Sequence, residues 1–211
     1  MKITVLGATG SAGRRIVAEA LSRGHDVTAV ARNASIDLPR GVHFRIGNAS
    51  VCDDVAQLAK DQDVVISAIR PSRGREGTVT ETTKALLRGM RKTNARLLVL
   101  GGAANLVVPG SGGTRVIDDP NYLPTDLRHI GQASLDQLEA CQTETEVDWV
   151  YLSPSASFNP GKRTGNYRTG TNELLVDSDG ISELSMEDAA VALLDEAERP
   201  KHHRSQFTVG Y

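Results

Sequence analysis

Three glycines, Gly7, Gly10 and Gly13, stand at three-residue intervals in the segment GATGSAG. Residue types of this kind have one chemical use in common. A tight reversal needs glycine angles, and a backbone without side chains lets a phosphate come close. Gly7 suits the turn, Gly10 keeps the approach to a pyrophosphate open, and Gly13 lets a following helix pack near the preceding strand. The amides of Ser11, Ala12 and Gly13 would then meet the anion at the positive end of the helix, with Thr9 beside them. The motif means little without context. Here the strand-like run Lys2–Leu6 precedes it, and Ile16, Val17, Ala20 and Leu21 follow at helical spacing within Arg14–Arg23.

A second position sets the choice of dinucleotide. An acid about 20 residues past the glycines usually holds the adenosine ribose hydroxyls of NAD. Nineteen residues on from Gly13 stands Arg32, between Ala31 and Asn33, with no acid among the three. A guanidinium suits a 2′-phosphate, so NADP(H) is the expected cofactor and NAD(H) the alternative. Arg14 could close the other side of that phosphate.

The elements that must carry these residues alternate between β and α. Strands are expected at Asp26–Ala31, Val42–Ile46, Asp63–Ala68, Arg96–Leu100, Asp148–Leu152 and Gln206–Val209, with a short one at Leu174–Val176. Helices are expected at 53–59, Thr78–Arg91, Leu127–Cys141 and from the cap Ser185 through Glu198. Ala104–Asp126, rich in Gly, Pro, Asn and Asp, reads as a long loop or excursion, and Ser153–Thr171 as another loop. Near-continuous Val, Ile and Leu strands between helices imply a parallel sheet buried on both faces. The fold class is therefore α/β: a doubly wound, NAD(P)-binding Rossmann fold. With 211 residues, one domain over 1–211 accounts for the chain, its C-terminal part forming a small substrate side.

In such a fold ligands lie outside the C-terminal strand ends. That rule places Gly47, Asn48 and Ala49 near the adenine. It places Ser67, Ala68, Ile69 and Arg70 at the middle of the cofactor, and Gly101, Gly102 and Ala103 near the nicotinamide. Tyr122 and His129 follow strand five as candidate acid–base or substrate contacts, and Ser153 and Ser155 after strand six are expected to line a substrate pocket.

The Tyr-x-x-x-Lys pair of common alcohol dehydrogenases is missing. Asp126, Ser155 and Thr171 stand four residues after Tyr122, Tyr151 and Tyr167, and Tyr211 is the last residue. No catalytic residue is assigned by pattern. Hydride transfer to a flavin or quinone asks less of a protein acid, which makes a small-molecule electron acceptor of that kind the expected partner. The other reading is a non-catalytic redox sensor that binds NADP(H).

Composition excludes several classes. The formal net charge is −2, from 24 basic and 26 acidic residues, so neither a nucleic-acid nor a membrane partner is expected. No basic, apolar leader precedes Lys2, and a cytoplasmic protein is expected. Cys52 and Cys141 read as reduced structural thiols. His202-His203 reads as solvated loop, so no metal is expected. The oligomeric state is not legible.

GATGSAG, SAIRPS after strand four, LGGAANL after strand five, DWVYLSPSASFNPGKRTGNYRTG and SMEDAAVALLDEAERPKHHRSQFTVGY together resemble the NmrA-like, atypical short-chain dehydrogenase/reductases, a group that takes in NAD(P)H-flavin reductases and biliverdin reductase B-like proteins. The resemblance covers essentially the whole chain. It implies a Rossmann fold, NAD(P)H binding and reduction of a flavin or quinone. It also implies phosphate-turn roles for Gly7, Gly10 and Gly13 and an NADP-selecting role for Arg32.

Overall fold

A computed structural model describes residues 1–33, 39–70 and 74–211. Lys2–Leu6 (β1) leads into Ser11–Ser22 (α1), then Asp26–Ala31 (β2), His43–Ile46 (β3), Cys52–Ala59 (α2) and Val64–Ser67 (β4). Thr78–Met90 (α3), Arg96–Leu100 (β5), Arg128–Gln142 (α4) and Trp149–Pro154 (β6) continue the alternation. Ser157–Asn159 (β7), Arg168–Gly170 (β8), Glu183–Ser185 (β9), Met186–Glu198 (α5) and Ser205–Gly210 (β10) complete the chain.

The main sheet has the order β3-β2-β1-β4-β5-β6-β10-β8. All pairings are parallel except β10 with β8. Alternation within each strand feeds two cores. Ile3, Val5, Leu98, Val150 and Phe207 point to one face, where Ile16 and Val17 of α1 and Leu193 and Leu194 of α5 cover them. Leu6, Leu97, Val99, Trp149 and Tyr151 point to the other, under α2, α3 and α4. α1 and α5 run alongside each other in a constant register, Arg15 meeting Glu187 at 2.5 Å and Arg23 meeting Asp195 at 2.7 Å.

Several expectations are corrected. Leu174–Val176 is no strand: only Glu173 beside it makes an isolated bridge, to Val107, and Leu174 is buried in a third cluster. That cluster joins Leu106, Val108, Val116 and Leu174, with Tyr122 and Leu123 packed on it. The excursion expected after β5 is packed on this cluster. The stretch read as one loop after β6 holds β7 and β8, three residues each, which period-based reading cannot resolve. α1 starts at Ser11, three residues before the expected helical stretch Arg14–Arg23, because its first turn carries none of the apolar stripe.

A buried arginine stitches the N-terminal edge of the sheet. Arg96 at the start of β5 reaches Glu196 at 2.7 Å and Asp148 at 3.1 Å, and also donates to the carbonyls of Glu196 and His202. Its partner Glu196 accepts the amides of Lys201 and His202 and contacts His202 Nδ1 at 2.8 Å. His203 contacts Asp148 at 3.0 Å. Each of the two histidines is thus engaged by a carboxylate, and no group of three or more metal-ligating side chains stands together among the described residues.

Candidate functional site

The connections of β1 and β4 leave the sheet on opposite faces, α1 going to one core and α3 to the other. The adjoining strand ends form the crevice in which doubly wound sheets bind ligands. Gly7 closes it from one side. Its φ is +77°, and a Cβ there would stand 2.8 Å from the carbonyl oxygen of Ala68. Gly13 is tighter still, since its Cβ would meet the Gly7 oxygen at 2.1 Å. Gly10 is exposed, and its Cβ would meet only that oxygen, at 3.3 Å.

The first turn of α1 is bare. Gly10 is its N-cap without a side-chain bond, and no acid stands in the first turn. The Arg14 amide makes the first helical bond, to Gly10, which leaves the amides of Ser11, Ala12 and Gly13 ahead of the ladder. α5 shows the contrast: Ser185 accepts the Asp188 amide, and Glu187 and Asp188 occupy the first turn. An uncapped glycine cradle with a helix behind it fits the diphosphate of a dinucleotide. The sequence reading assigns the diphosphate to this turn, and the turn lies at the crevice.

The other candidates divide. Arg32 is exposed one residue past β2, and Arg14 is exposed with its Nε on the Thr9 carbonyl at 3.1 Å. Ala68 and Ile69 are half-buried at the end of β4, and Arg70 is exposed beside them. Pro71 and Ser72 of the SAIRPS segment lie outside the described residues. Asn48 turns its side chain onto its own loop, accepting from the Ser50 amide and hydroxyl. Tyr122 donates to the Gly180 carbonyl at 2.9 Å, tying the lobe after β5 to the turn before β9. Ser153 and Ser155 are corrected: both are fully enclosed, their hydroxyls donating to Asn105 and to the Val209 carbonyl, so neither lines an open pocket. Position after a strand marks the right edge of the sheet, but these two still lie between neighbouring elements.

Gly101 and Gly102 owe their form to a residue that pattern reading had not singled out. The Tyr151 ring fills the space a Gly101 Cβ would take, at 1.9 Å. Its hydroxyl accepts the Gly102 amide at 3.3 Å and donates to the Ser134 carbonyl at 3.1 Å. Burial pushes this phenol well above its ordinary range, so it stays protonated. The other phenols are also engaged: Tyr167 with Asp195, and Tyr211 with Asp188. Burial likewise pushes the Cys141 thiol up to about 12, which makes it an inert packing group.

The segment after β6 is held by acids at the start of α5. Glu187 accepts the Gly161 amide at 2.8 Å while binding Arg15, and Arg15 reaches back to Ser11. Asp188 is fully buried and accepts from the amides of Thr164 and Gly165, the Thr164 hydroxyl and the Tyr211 hydroxyl. Burial alone would raise its carboxyl, but these donors outweigh it and hold it below the usual carboxylate range. A depressed folded-state value contributes stability above the unfolded value, near 4, and that contribution is lost as pH falls through the folded one. Glu19, held low by Arg163 against burial, acts in the same direction. The melting temperature is therefore expected to drop between about pH 5 and about pH 3, and Asp188→Asn, less stable at neutral pH, to drop less. An equal acid shift in both proteins would remove Asp188 from the account.

Fold and crevice together define a Rossmann-type dinucleotide-binding protein. The comparisons with known proteins agree. A family model described as NAD(P)H-binding matches residues 7–197, and the chain belongs to that family. It is 38% identical over 211 residues to the uncharacterized protein YwnB of Bacillus subtilis, covering 99% of this chain and 98% of that one. A candidate epimerase of Bacteroides thetaiotaomicron superposes with a TM-score of 0.89 at 36% identity, covering 100% of this chain and 96% of that one. A candidate NADH-flavin reductase of Streptococcus pneumoniae does so with a TM-score of 0.86 at 29% identity, covering 100% and 99%. These neighbours support an oxidoreductase-like, nicotinamide-binding chain of the atypical short-chain reductase type.

Proposed function

We propose that this chain is an NADPH-dependent reductase that passes hydride to a flavin, quinone or similar small acceptor. The observation that carries the reading is the bare glycine turn with Arg32, and no acid, at the end of β2. When bound, the reduced nicotinamide supplies the hydride. The protein's own part is to orient and enclose. The amides of Ser11, Ala12 and Gly13 hold the diphosphate, Arg32 takes the 2′-phosphate, and the Gly101–Gly102 turn, braced by Tyr151, fixes the floor below the reacting ring. With all four phenols engaged elsewhere and no lysine paired to one, reduction of a simple ketone is not supported. No helix among the described residues is long and apolar enough to cross a membrane; the cytoplasm is the compartment we assign.

Two measurements test this. Purified protein with NADPH and a panel of FMN, riboflavin and naphthoquinones is expected to consume reduced-nicotinamide absorbance; silence across the panel counts against a reductase. Arg32→Asp is expected to weaken NADPH by about 1–3 kcal/mol, the scale of a charge-assisted hydrogen bond, with little effect on NADH. Unchanged NADPH affinity by titration calorimetry would remove Arg32 from the site. The missing tyrosine–lysine pair also favours a second reading, a redox sensor that discriminates NADPH from NADP⁺ without turning either over. Binding that differs between the two forms, with no acceptor reduced, would select it.

A further inference from the structure

We propose that Arg15 is a positioning residue of the dinucleotide site: it turns the Ser11 hydroxyl toward the diphosphate, and its pair with Glu187 couples the glycine turn to residues 160–165. This rests on the reading of the glycine turn as the diphosphate site and adds a residue that the sequence pattern did not assign.

Arg15 opens the second turn of α1, and its guanidinium bends back toward the start of the helix. Nη1 donates to the Ser11 carbonyl at 2.8 Å and to the Ser11 hydroxyl at 3.2 Å, while Nε donates to Glu187 at 2.5 Å. The rigid fork of an arginine can serve these oxygens and a carboxylate at once. A hydroxyl that accepts from a guanidinium keeps its own proton to give. Ser11 follows the uncapped Gly10 and is exposed, so that proton is left for a ligand at the turn.

Glu187 is the anchor. It lies in the first turn of α5, and its other oxygen accepts the Gly161 amide at 2.8 Å. Burial alone would raise this carboxyl, but the Gly161 amide and then Arg15 hold it below its usual range, so it carries its charge at neutral pH. The neighbouring acids are engaged elsewhere. Glu19, one turn beyond Arg15, meets Arg23 at 2.8 Å and Arg163 at 2.7 Å, and Asp188 accepts from Thr164, Gly165 and Tyr211. Glu187 is the carboxylate that the structure sets against Arg15.

Polar bonds more than packing hold this pair. A cleft of about 350 Å³ opens beside it, lined also by Ala18, Ser22 and Arg163, and the two side chains are 27% and 21% exposed. Loss of either partner therefore frees the other. Residues 160–165 hang on the same helix faces: Gly161 on Glu187, Arg163 on Glu19, and Thr164 and Gly165 on Asp188. A ligand that draws the Ser11 hydroxyl into one orientation favours the Arg15 rotamer that also meets Glu187, and with it the Gly161 contact. The coupling is reciprocal, so order in the segment favours binding by the same factor.

Titration calorimetry with NADPH compares wild-type protein, Arg15→Gln, Ser11→Ala and the double variant. Arg15→Gln is expected to weaken NADPH about 10-fold, the scale of one lost hydrogen bond. Arg15→Lys, which keeps the charge without the fork, should recover part of that loss. In the Ser11→Ala background, Arg15→Gln should cost nothing measurable further. An arginine with a merely structural role would weaken binding equally in both backgrounds. That result overturns the proposal, as does wild-type affinity in Arg15→Gln. Limited trypsin digestion reads the coupling. NADPH is expected to slow cleavage after the exposed Lys162 and Arg163 in the wild type. Most of that protection should vanish in Glu187→Gln, which still offers the Gly161 amide an acceptor. Equal protection in the two proteins overturns the coupling and leaves the glycine-turn reading standing. A wild type that binds no dinucleotide overturns both.

Discussion

Gly13→Ala is expected to abolish dinucleotide binding while leaving most of the sheet intact. The added methyl would lie 2.1 Å from the Gly7 oxygen and 3.0 Å from the Ala8 Cα, both backbone atoms with no rotamer to escape into. Either α1 moves off β1 or the glycine turn opens, and both outcomes scatter the three amides that we propose hold the diphosphate. The overpacking itself is worth about 3 kcal/mol. NADPH affinity should fall more than 100-fold, beyond what losing one hydrogen bond explains. Gly10→Ala gives the control. Its methyl meets a single atom at 3.3 Å, so the fold should hold while the phosphate loses its approach. Calorimetry on both variants, beside circular dichroism, separates the two effects. A Gly13→Ala protein that binds NADPH normally would show that the turn is not the phosphate site.

Arg96→Met is expected to be the most damaging single change outside the crevice. It keeps the aliphatic stem in β5 and deletes the charge. Glu196 is 4% exposed, and although His202 and two backbone amides still reach it, it would lose the guanidinium that stands 2.7 Å away. Removing one member of a buried pair costs about 3–5 kcal/mol, because the other is left charged and out of water. Burial alone would raise the Glu196 carboxyl, and Arg96, then His202, hold it low. The loss in Arg96→Met should therefore shrink when Glu196→Gln is added. A double variant no more stable than Arg96→Met would refute a charge-based explanation.

The parts of this protein that were legible in its sequence are those with strong local periodicity. β1, β2, β5 and α3 stand within a residue of the apolar pattern that announced them, since a strand buried on both faces must be apolar throughout. The glycine turn was legible because Gly7 and Gly13 each answer a separate backbone demand. β7, β8 and β9 were not, because a three-residue strand has no period to read. Tyr151 looked like one more apolar strand residue. Only the structure shows that its hydroxyl reaches the turn after β5. Arg96 and Glu196 are 100 residues apart in sequence, and nothing local to either announces the other.

The lobe after β5 rests on its own cluster of Leu106, Val108, Val116 and Leu174, none of which belongs to either large core. Exchanges among those four residues would therefore reshape the lobe while the two large cores keep their packing, so this part of the molecule can drift in form independently of the sheet and its glycine turn.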